Sequence, residues 1–268
     1  MRLCYIANPN SIHAHRYLQY FSSAGHEVIL LAHHPPQQPF PADVTLYDLT
    51  AQTNLRKFRF VVWALSVRRI LRQIKPDLLH AQGVANAGWL AAASGFHPFI
   101  VTAWGSDLLV GPRRSSPQRW LARWVLGQAD YVTCVSENLA QAAQALGADP
   151  SRLEVAPFGV DTTIFHPAPD RSALRAKLGL GQGPLVLSLR AMRPIYNPLD
   201  IARAIPLVLN QVPQSRFIIR VYGQDPALLA EFKAIVQEHQ SEDHVHYVGE
   251  QKSDEAIADI NRAVDVVV

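Results

Sequence analysis

Two arginines and an asparagine follow the apolar run LVLSL, residues 185–189, and have the chemistry of a phosphate site. They are Arg190, Arg193 and Asn197, and a helical pattern begins directly after them at Pro198. The free N–H groups and the dipole at the start of a helix favour an anion, and arginine adds positive charge. The sequence therefore predicts that Arg190, Arg193 and Asn197 bind a phosphate, and the plainer alternative is an exposed pair of surface arginines.

A second set of polar side chains follows the first apolar run of the chain, RLCYIA, residues 2–7. This set consists of Asn8, Asn10, Ser11 and His13. We predict that these side chains lie where a substrate binds, because they come directly after a strand and before a helix. The plainer interpretation of His13 is a polar residue in the first turn of that helix.

The elements that position both sets alternate between strand and helix. Residues 2–7, a helical pattern over residues 12–23 and the apolar run at residues 27–32 form a βαβ unit, and a second series begins at residues 185–189. Such a unit implies a parallel sheet, and ligands bind at the carboxyl ends of its strands. A dinucleotide site is not indicated, because the sequence contains no G-x-G-x-x-G.

The segment LEVAPFGVDTTIFHP, residues 153–167, separates the two series. It contains a short strand, a turn at residues 157–159, an Asp and a Phe-x-Pro ending. Because Pro and Gly are turn formers, an ordinary interdomain linker would also explain it. Its order nevertheless resembles the hinge of the retaining glycosyltransferases of family 4, which reads roughly P-N-G-V-D-x-x-x-F-x-P. The matching residues are Pro157, Gly159, Val160, Asp161, Phe165 and Pro167, with Phe158 in place of the Asn.

Two segments of the first half are similar to the same family. His80 matches the first His of a D-V-x-H-x-H-G type segment. Thr102, Gly105 and Asp107 match the pattern T-x-H-G-x-D, and Trp104 replaces its His. The resemblance places that position close to the transferred sugar, where an indole can stack on a sugar face but cannot transfer a proton.

The family pattern G-R-x-x-x-x-K-G falls on the predicted phosphate site. Arg190 matches its Arg, which implies contact with the diphosphate of a nucleotide sugar. Ile195 occupies the position of the Lys, so either Arg193 or Asn197 replaces it or nothing does. The Gly-Gly pair that many members carry in the first loop is absent, and the spacing around His13 is similar to a branch whose loop carries His.

The resemblance implies an α/β fold of the GT-B type, in which two Rossmann-like parallel-sheet domains face each other across a cleft. We expect an acceptor-side domain at residues 1–167, a linker and helix at residues 168–183, and a nucleotide-sugar-binding domain at residues 184–268. The second domain is expected to be incomplete at its C-terminus, because the chain stops on an apolar strand before the Glu-x7-Glu motif of the family. We therefore interpret the chain as a fragment that is impaired in activity.

The implied activity is transfer of a sugar, with retention, from a nucleotide-sugar donor to a saccharide or lipid-linked acceptor in cell-envelope or polysaccharide synthesis. No cofactor is expected, since the nucleotide sugar is a substrate, and no metal is expected, because the sequence shows no cluster of metal ligands. The site residues carried over are catalytic His13, His80, Trp104 and Asp107; acceptor-binding Asn8, Asn10, Ser11 and Gly105; and donor-binding Arg190, Arg193 and Asn197. The alternatives are a nucleotide-sugar epimerase of the same fold and a degenerate nucleotide-binding module without turnover.

Two basic segments suggest a peripheral membrane contact. The first runs over residues 55–75, from Leu55 to Lys75, as an amphipathic helix with seven Lys and Arg residues and no acid. The second spans residues 113–124 and combines a basic loop at residues 111–116 with a helix carrying Trp120 and Trp124. Such helices can lie on an anionic membrane, although packing of the apolar stripe on a sheet is the more frequent explanation.

The composition is that of a globular protein, with 268 residues, 49% of them hydrophobic and 18% charged. The net charge of +3 comes from the first half of the chain, but the basic residues are interrupted by core positions and form no nucleic-acid motif. No apolar run is long enough for a transmembrane helix, and the N-terminus does not read as a signal peptide. Cys4 and Cys134 fall in predicted strands as free thiols, so we expect a cytoplasmic protein, with membrane contact at its inner face.

Overall fold

The computed structural model describes residues 1–37, 40, 43–52, 59–168, 170–223, 225–249 and 253–268. The chain divides into two compact units, Met1–Phe158 and Gly159–Val268. Each unit is built on a parallel β-sheet, which confirms the predicted α/β class. Within the described ranges, no helix combines the length and the apolar character needed to cross a membrane.

The first unit holds a seven-stranded sheet in the order β3-β2-β1-β4-β5-β6-β7. Its strands are β1 (Arg2–Ala7), β2 (Glu27–Ala32), β3 (Val44–Asp48), β4 (Leu78–Gln82), β5 (Phe99–Ala103), β6 (Tyr131–Cys134) and β7 (Leu153–Val155). Its helices are α1 (Ile12–Ser23), α2 (Arg59–Ile74), α3 (Ala87–Ser94), α4 (Ser106–Leu109), α5 (Gly111–Arg114), α6 (Ser116–Gln128) and α7 (Glu137–Ala145).

The central strands of this sheet are covered on both faces, which is why they read as continuous apolar runs. Alternate residues of β1 point to opposite sides. Cys4 and Ile6 belong to the core that contains residues of α2, α3, α6 and α7, whereas Leu3 and Tyr5 pack with Leu18 of α1. The two layers of helices leave the ends of the strands open, and the carboxyl ends are where a site can form.

The second unit contains a four-stranded sheet in the order β10-β9-β8-β11. Its strands are β8 (Leu185–Ser188), β9 (Arg216–Arg220), β10 (Val245–Val248) and β11 (Val266–Val267), and its helices are α8 (Arg171–Lys177), α9 (Pro198–Leu209), α10 (Pro226–Glu238) and α11 (Asp254–Ala263). Phe217 and Ile219 of β9 pack with residues of α9 and α10 on one face. Ile218 packs with Ile260 of α11 on the other.

Several sequence predictions on local structure need correction. The basic loop predicted at residues 111–116 is wrong, because Gly111–Arg114 forms a helical turn with Pro112 in its first positions, where proline is well tolerated. The short helix Ser106–Leu109 was not predicted, because four residues are too few for a periodic pattern. The helix predicted over residues 55–75 is described over Arg59–Ile74, and residues 55–58 lie outside the described part of the chain.

Candidate functional site

A cavity of about 280 Å³ opens at the carboxyl ends of the strands of the first unit. It is surrounded by the residues that follow β1, β2, β4 and β5, four strands that are neighbours in the sheet. Of the predicted site residues, it brings together Asn8, Ser11, Trp104 and Asp107. Because carboxyl ends of parallel strands meet at one edge, residues about 100 positions apart in the sequence become neighbours here.

The loop after β1 is held by its two asparagines. The Asn8 side-chain oxygen accepts a hydrogen bond from the Asn10 backbone N–H at 3.0 Å. The Asn10 side chain donates to the Pro35 carbonyl and accepts from the Gln37 N–H, so it fixes the loop and is not among the residues that line the cavity. Ser11 is the N-cap of α1, but its hydroxyl makes no capping hydrogen bond, and the residue lines the cavity.

Asp107 joins the loop after β4 to the loop after β5. Its carboxylate accepts hydrogen bonds from the backbone N–H groups of Val84 at 2.9 Å, Gly105 at 2.8 Å and Trp104 at 3.2 Å. Gly105 has φ of 138°, a backbone conformation that residues with a Cβ rarely adopt, so glycine suits the turn that brings its N–H to the carboxylate. Asp107 therefore acts on the cavity by positioning its walls.

Three aromatic rings pack together beside the cavity. The His13 ring stacks on Phe158 with centroids 4.3 Å apart, and it lies 4.8 Å from the Trp104 ring. Trp104 and Phe158 are 5.2 Å apart. Phe158 and Trp104 are the two residues of the first unit that replace a family Asn and a family His, and their rings are in contact with each other. Burial and the nearby positive charge of Arg16 lower the pKa of His13, which favours its neutral form.

His80 lies below this surface, inside the core of the first unit. Its Nε2 is 2.6 Å from the Thr102 hydroxyl, and its ring lies against Tyr5 and Tyr17. Burial lowers the pKa of His80 to about 4, so the ring is neutral at pH 7. The cavity is not lined by His80, and its catalytic role stays a prediction.

Sequence reasoning missed two buried polar residues of the cavity, His33 and Gln82. His33 comes directly after β2, and Gln82 is the last residue of β4. Both are buried, with 7% and 9% of their surface exposed. The signal that could have found them is the one used for Asn8, a polar residue at the carboxyl end of a buried strand.

In the second unit, Arg190, Arg193 and Asn197 lie between β8 and α9, as predicted from the sequence order. All three are exposed. The Arg190 guanidinium lies over the Tyr196 ring at 5.5 Å, and Arg193 donates to the Gly223 carbonyl after β9 at 3.1 Å. Asn197 has the left-handed conformation, with φ of 50°, and its amide bonds Asp200 in the first turn of α9.

Arg220 is a further cation that the sequence analysis did not select. It is the last residue of β9, it is buried, and its guanidinium lies 4.1 Å from the Tyr222 ring centroid. The sequence feature that could have identified Arg220 is a charged residue at the end of the apolar run in RFIIR. Arginines therefore stand at the carboxyl end of β9 and in the loop after β8, which is a suitable edge for an anion.

The described ranges contain no group of three or more His, Cys, Asp or Glu side chains that could hold a metal ion. Cys4 and Cys134 are both buried free thiols. Burial raises the pKa of Cys134 to about 11, and the negative charge of Asp107 acts in the same direction.

The sequence of the first unit decides the family. Residues 2–136 match the family described as Glycosyl transferase 4-like. The chain belongs to this family. The match includes β1 to β6 and therefore the loops that form the cavity.

Curated relatives of this family member are glycosyltransferases. The D-inositol 3-phosphate glycosyltransferase of Streptomyces scabiei is 32% identical over 109 residues, which are 37% of this chain and 24% of that protein. The GDP-mannose-dependent alpha-(1-6)-phosphatidylinositol monomannoside mannosyltransferase of Mycolicibacterium smegmatis is 33% identical over 141 residues, 52% of this chain and 36% of that protein. The matched segments thus span about a quarter to a third of these relatives.

Solved structures share the fold of this glycosyltransferase-family chain. Sucrose-phosphate synthase from Thermosynechococcus elongatus superposes with a TM-score of 0.79 at 18% identity, covering 100% of this chain and 74% of that one. HepE of Anabaena in complex with UDP gives a TM-score of 0.76 at 17% identity, covering 100% and 73%. At these identities the likeness shows the fold.

Proposed function

We propose that the chain is part of a retaining glycosyltransferase that moves a sugar from a nucleotide-sugar donor to a saccharide or lipid-linked acceptor. The observation that carries the proposal is the polar cavity at the carboxyl ends of the strands, in a unit whose sequence belongs to a glycosyltransferase family. The cavity is the proposed acceptor site, with Asn8, Ser11 and Trp104 in contact with the acceptor. Cell-envelope or polysaccharide synthesis is the proposed context.

On the donor side, we propose that Arg190 and Arg193 bind the diphosphate. Both are at the carboxyl edge of the second sheet, before the N-terminus of α9. Their charge would stabilise the diphosphate as it leaves, when its negative charge increases, and the helix dipole would add to this effect. The exposed setting of Arg190 suits a group that reaches a ligand rather than one that holds the fold.

In the proposed reaction the sugar's C1–O bond to the diphosphate breaks and a C1–O bond to the acceptor hydroxyl forms on the same face. The departing phosphate oxygen accepts the proton of that hydroxyl, which balances the exchange. Trp104 offers a flat apolar surface for a sugar ring. The lowered pKa of His13 leaves a neutral ring, so we assign it a packing and hydrogen-bonding role at this surface rather than a charge.

The test is calorimetric titration of the chain with UDP and GDP, followed by UDP-glucose and GDP-mannose, together with assay of nucleotide release. We expect Arg190→Ala to weaken nucleotide binding at least tenfold, since a hydrogen bond to a charged group contributes about 1.5–3 kcal/mol. Arg216→Ala is the matched control, because Arg216 is also exposed but lies at the opposite, amino end of β9. Equal affinity of Arg190→Ala and wild type would remove Arg190 from the donor site.

The epimerase alternative is less well supported, because the curated relatives named above are transferases. An epimerase needs no acceptor, so product analysis separates the two activities. A degenerate binding module would bind nucleotide without turnover.

We also propose a peripheral membrane contact through α2 and α6. Phe60, Val61 and Leu65 of α2 are exposed, and so is Trp120 of α6, which stacks on Trp124. Exposed basic residues accompany them on both helices, at positions Arg59, Arg68, Arg69, Arg72, Arg119 and Arg123. Apolar side chains among arginines suit the headgroup region of an anionic membrane.

A further inference from the structure

Three side chains around the cavity of the first unit carry buried polar atoms that have no hydrogen-bond partner in the described part of the protein. These atoms are Nδ1 of His33, Nε1 of Trp104, and both Oε1 and Nε2 of Gln82. His33 and Gln82 are themselves more than nine-tenths buried. Buried polar groups are nearly always paired, because leaving them without a partner costs free energy, so four such atoms around one cavity need a reason.

Burying the Gln82 amide without hydrogen bonds costs free energy, and an apolar side chain at the same position would avoid this cost. Gln82 ends β4 beside Thr102 of β5, in a strand that is otherwise apolar apart from His80. A leucine or methionine there would fill the same space without losing contacts to water. A ligand whose groups pair with these atoms explains why polar side chains occupy the place.

The charge around the cavity favours an uncharged ligand. Among the described residues that line it, the group that carries a full charge at neutral pH is the Asp107 carboxylate, and no lysine or arginine is present. His33 is neutral there, because burial, with the charge of His34 acting in the same direction, lowers its pKa to about 4. A phosphate would meet the Asp107 carboxylate, with no lysine or arginine among the described lining residues to balance the charge. The N-terminus of α1 at Ser11 offers N–H groups that a hydroxyl oxygen can use.

The hydrogen-bonding pattern fits hydroxyl groups. The Gln82 amide presents a donor and an acceptor side by side, the Trp104 indole is a donor, and the neutral His33 ring supplies either role. A hydroxyl both donates and accepts, so it can pair with each of these groups. The volume of about 280 Å³ is just below the range of typical ligand sites, roughly 300–1,000 Å³, and suits a single ring.

We propose that this cavity binds an unphosphorylated, hydroxyl-bearing ring of the acceptor, a sugar or a cyclitol, and that Gln82, His33 and Trp104 select it. The inference rests on the proposed function and narrows the acceptor to a neutral polyol at this place. Gln82 is the central residue of this site, because neither Oε1 nor Nε2 of its side chain has a hydrogen-bond partner among the described residues. The aromatic face of Trp104 adds stacking to the hydrogen bonds.

The experiment titrates the full chain with two neutral rings, myo-inositol and methyl α-D-glucopyranoside, and with myo-inositol 1-phosphate and glucose 6-phosphate. Binding is followed by saturation-transfer NMR and calorimetry in wild type, Gln82→Met and Gln73→Met. Gln73→Met makes the same chemical change on the exposed surface of α2 and is the matched control. We expect at least one neutral ring to bind saturably, its phosphorylated counterpart to bind at least tenfold more weakly, and Gln82→Met to weaken the neutral ring at least tenfold.

Thermal unfolding separates recognition from a structural role. Gln82→Met removes two unpartnered buried atoms while keeping the volume, so it should melt at or above the temperature of wild type. A lower melting temperature would mean that Gln82 holds the fold, and the inference would fail. It would also fail if no neutral ring bound saturably up to its solubility, if a phosphorylated ring bound more tightly, or if Gln82→Met bound like wild type.

A parallel titration with UDP and GDP keeps this result apart from the proposed function. Nucleotide binding without binding of a neutral ring would overturn the inference and leave the transferase proposal in place. Binding of a neutral ring that depends on Gln82, in a chain that binds no nucleotide, would support the polyol site and count against the transferase proposal.

Discussion

Replacing Asp107 by asparagine should loosen the whole cavity edge of the first unit, although the two side chains have almost the same shape. Both carboxylate oxygens are engaged, Oδ2 by the Val84 N–H at 2.9 Å and Oδ1 by the Gly105 N–H at 2.8 Å, with the Trp104 N–H between them at 3.2 and 3.3 Å. An asparagine has one oxygen and one NH₂ group. Whichever way the amide turns, its NH₂ faces a backbone N–H, so one short hydrogen bond is lost and the others lose their charge.

Hydrogen bonds to a charged group contribute about 1.5–3 kcal/mol each, so we expect Asp107→Asn to lower the free energy of unfolding of the first unit by roughly 2–4 kcal/mol. For a unit of this size that corresponds to a fall in melting temperature of roughly 4–16 °C. Asp149→Asn is the control. A single oxygen of Asp149 accepts both bonds from Ser151, so an amide oxygen can replace it, and the expected cost is about 1 kcal/mol or less.

The assay is urea unfolding of the two variants, combined with hydrogen exchange of individual amides. In Asp107→Asn the amides of Val84, Trp104 and Gly105 should exchange faster, because their acceptor is weakened. The reasoning would be refuted if Asp107→Asn unfolded at the same urea concentration as Asp149→Asn with unchanged exchange at these amides.

Three further predictions concern pH and surfaces. Burial holds the pKa of His80 at about 4, below its unfolded value, so the unfolded state binds more protons between about pH 4 and 6.5. The free energy of unfolding should therefore fall by up to about 3 kcal/mol as the pH drops through that window. His80→Gln should reduce this dependence on pH, as measured by urea unfolding. The Leu185 N–H and Arg175 lower the pKa of Asp265. The ionised carboxylate therefore adds to the free energy of unfolding above about pH 4, and this stabilisation is lost as the pH falls through the lowered pKa. Arg175→Met should cost the second unit roughly 2 kcal/mol by calorimetry, less than for a fully buried pair because 38% of the Asp265 side chain is exposed; an unchanged melting curve would contradict this. Leu65→Glu and Trp120→Glu should each reduce co-sedimentation with anionic phospholipid vesicles several-fold. If the wild-type protein sedimented equally with anionic and with neutral vesicles, this would count against the membrane contact.

Much of the fold follows from local patterns. The bounds of β1, β2, α1 and α9 agree with the apolar runs and helical spacing in the sequence, since buried parallel strands carry few polar residues. Helix starts are also set locally, since the Ser136 and Ser253 hydroxyls each accept a hydrogen bond from the backbone N–H three residues later. Where the pattern is too short to be periodic, the prediction fails: the helical turn at residues 106–109 was missed, and the one at residues 111–114 lies in a segment, residues 111–116, that was predicted as a loop.

The candidate site was predicted in part. Asn8, Ser11, Trp104 and Asp107 were selected by strand ends and family patterns, and all four line one cavity. Asn10 was selected by the same rule, but its side chain is used up in holding its own loop. His33 and Gln82 were missed because they match no family pattern. Only three-dimensional packing shows that they carry buried polar atoms with no hydrogen-bond partner among the described residues.

The sequence by itself determined the parallel α/β class, the family and the types of side chain available at each strand end, because hydrophobic patterning and short motifs are local properties. Only the tertiary structure decided which of those side chains meet. The strand order β2-β1-β4-β5 brings His33, Gln82 and Trp104 to one cavity, and the packing of Phe158 against His13 joins residues far apart in the chain. Burial then set their chemistry: a histidine surrounded by protein loses the solvation of its charged form, so His33 and His80 are neutral at pH 7.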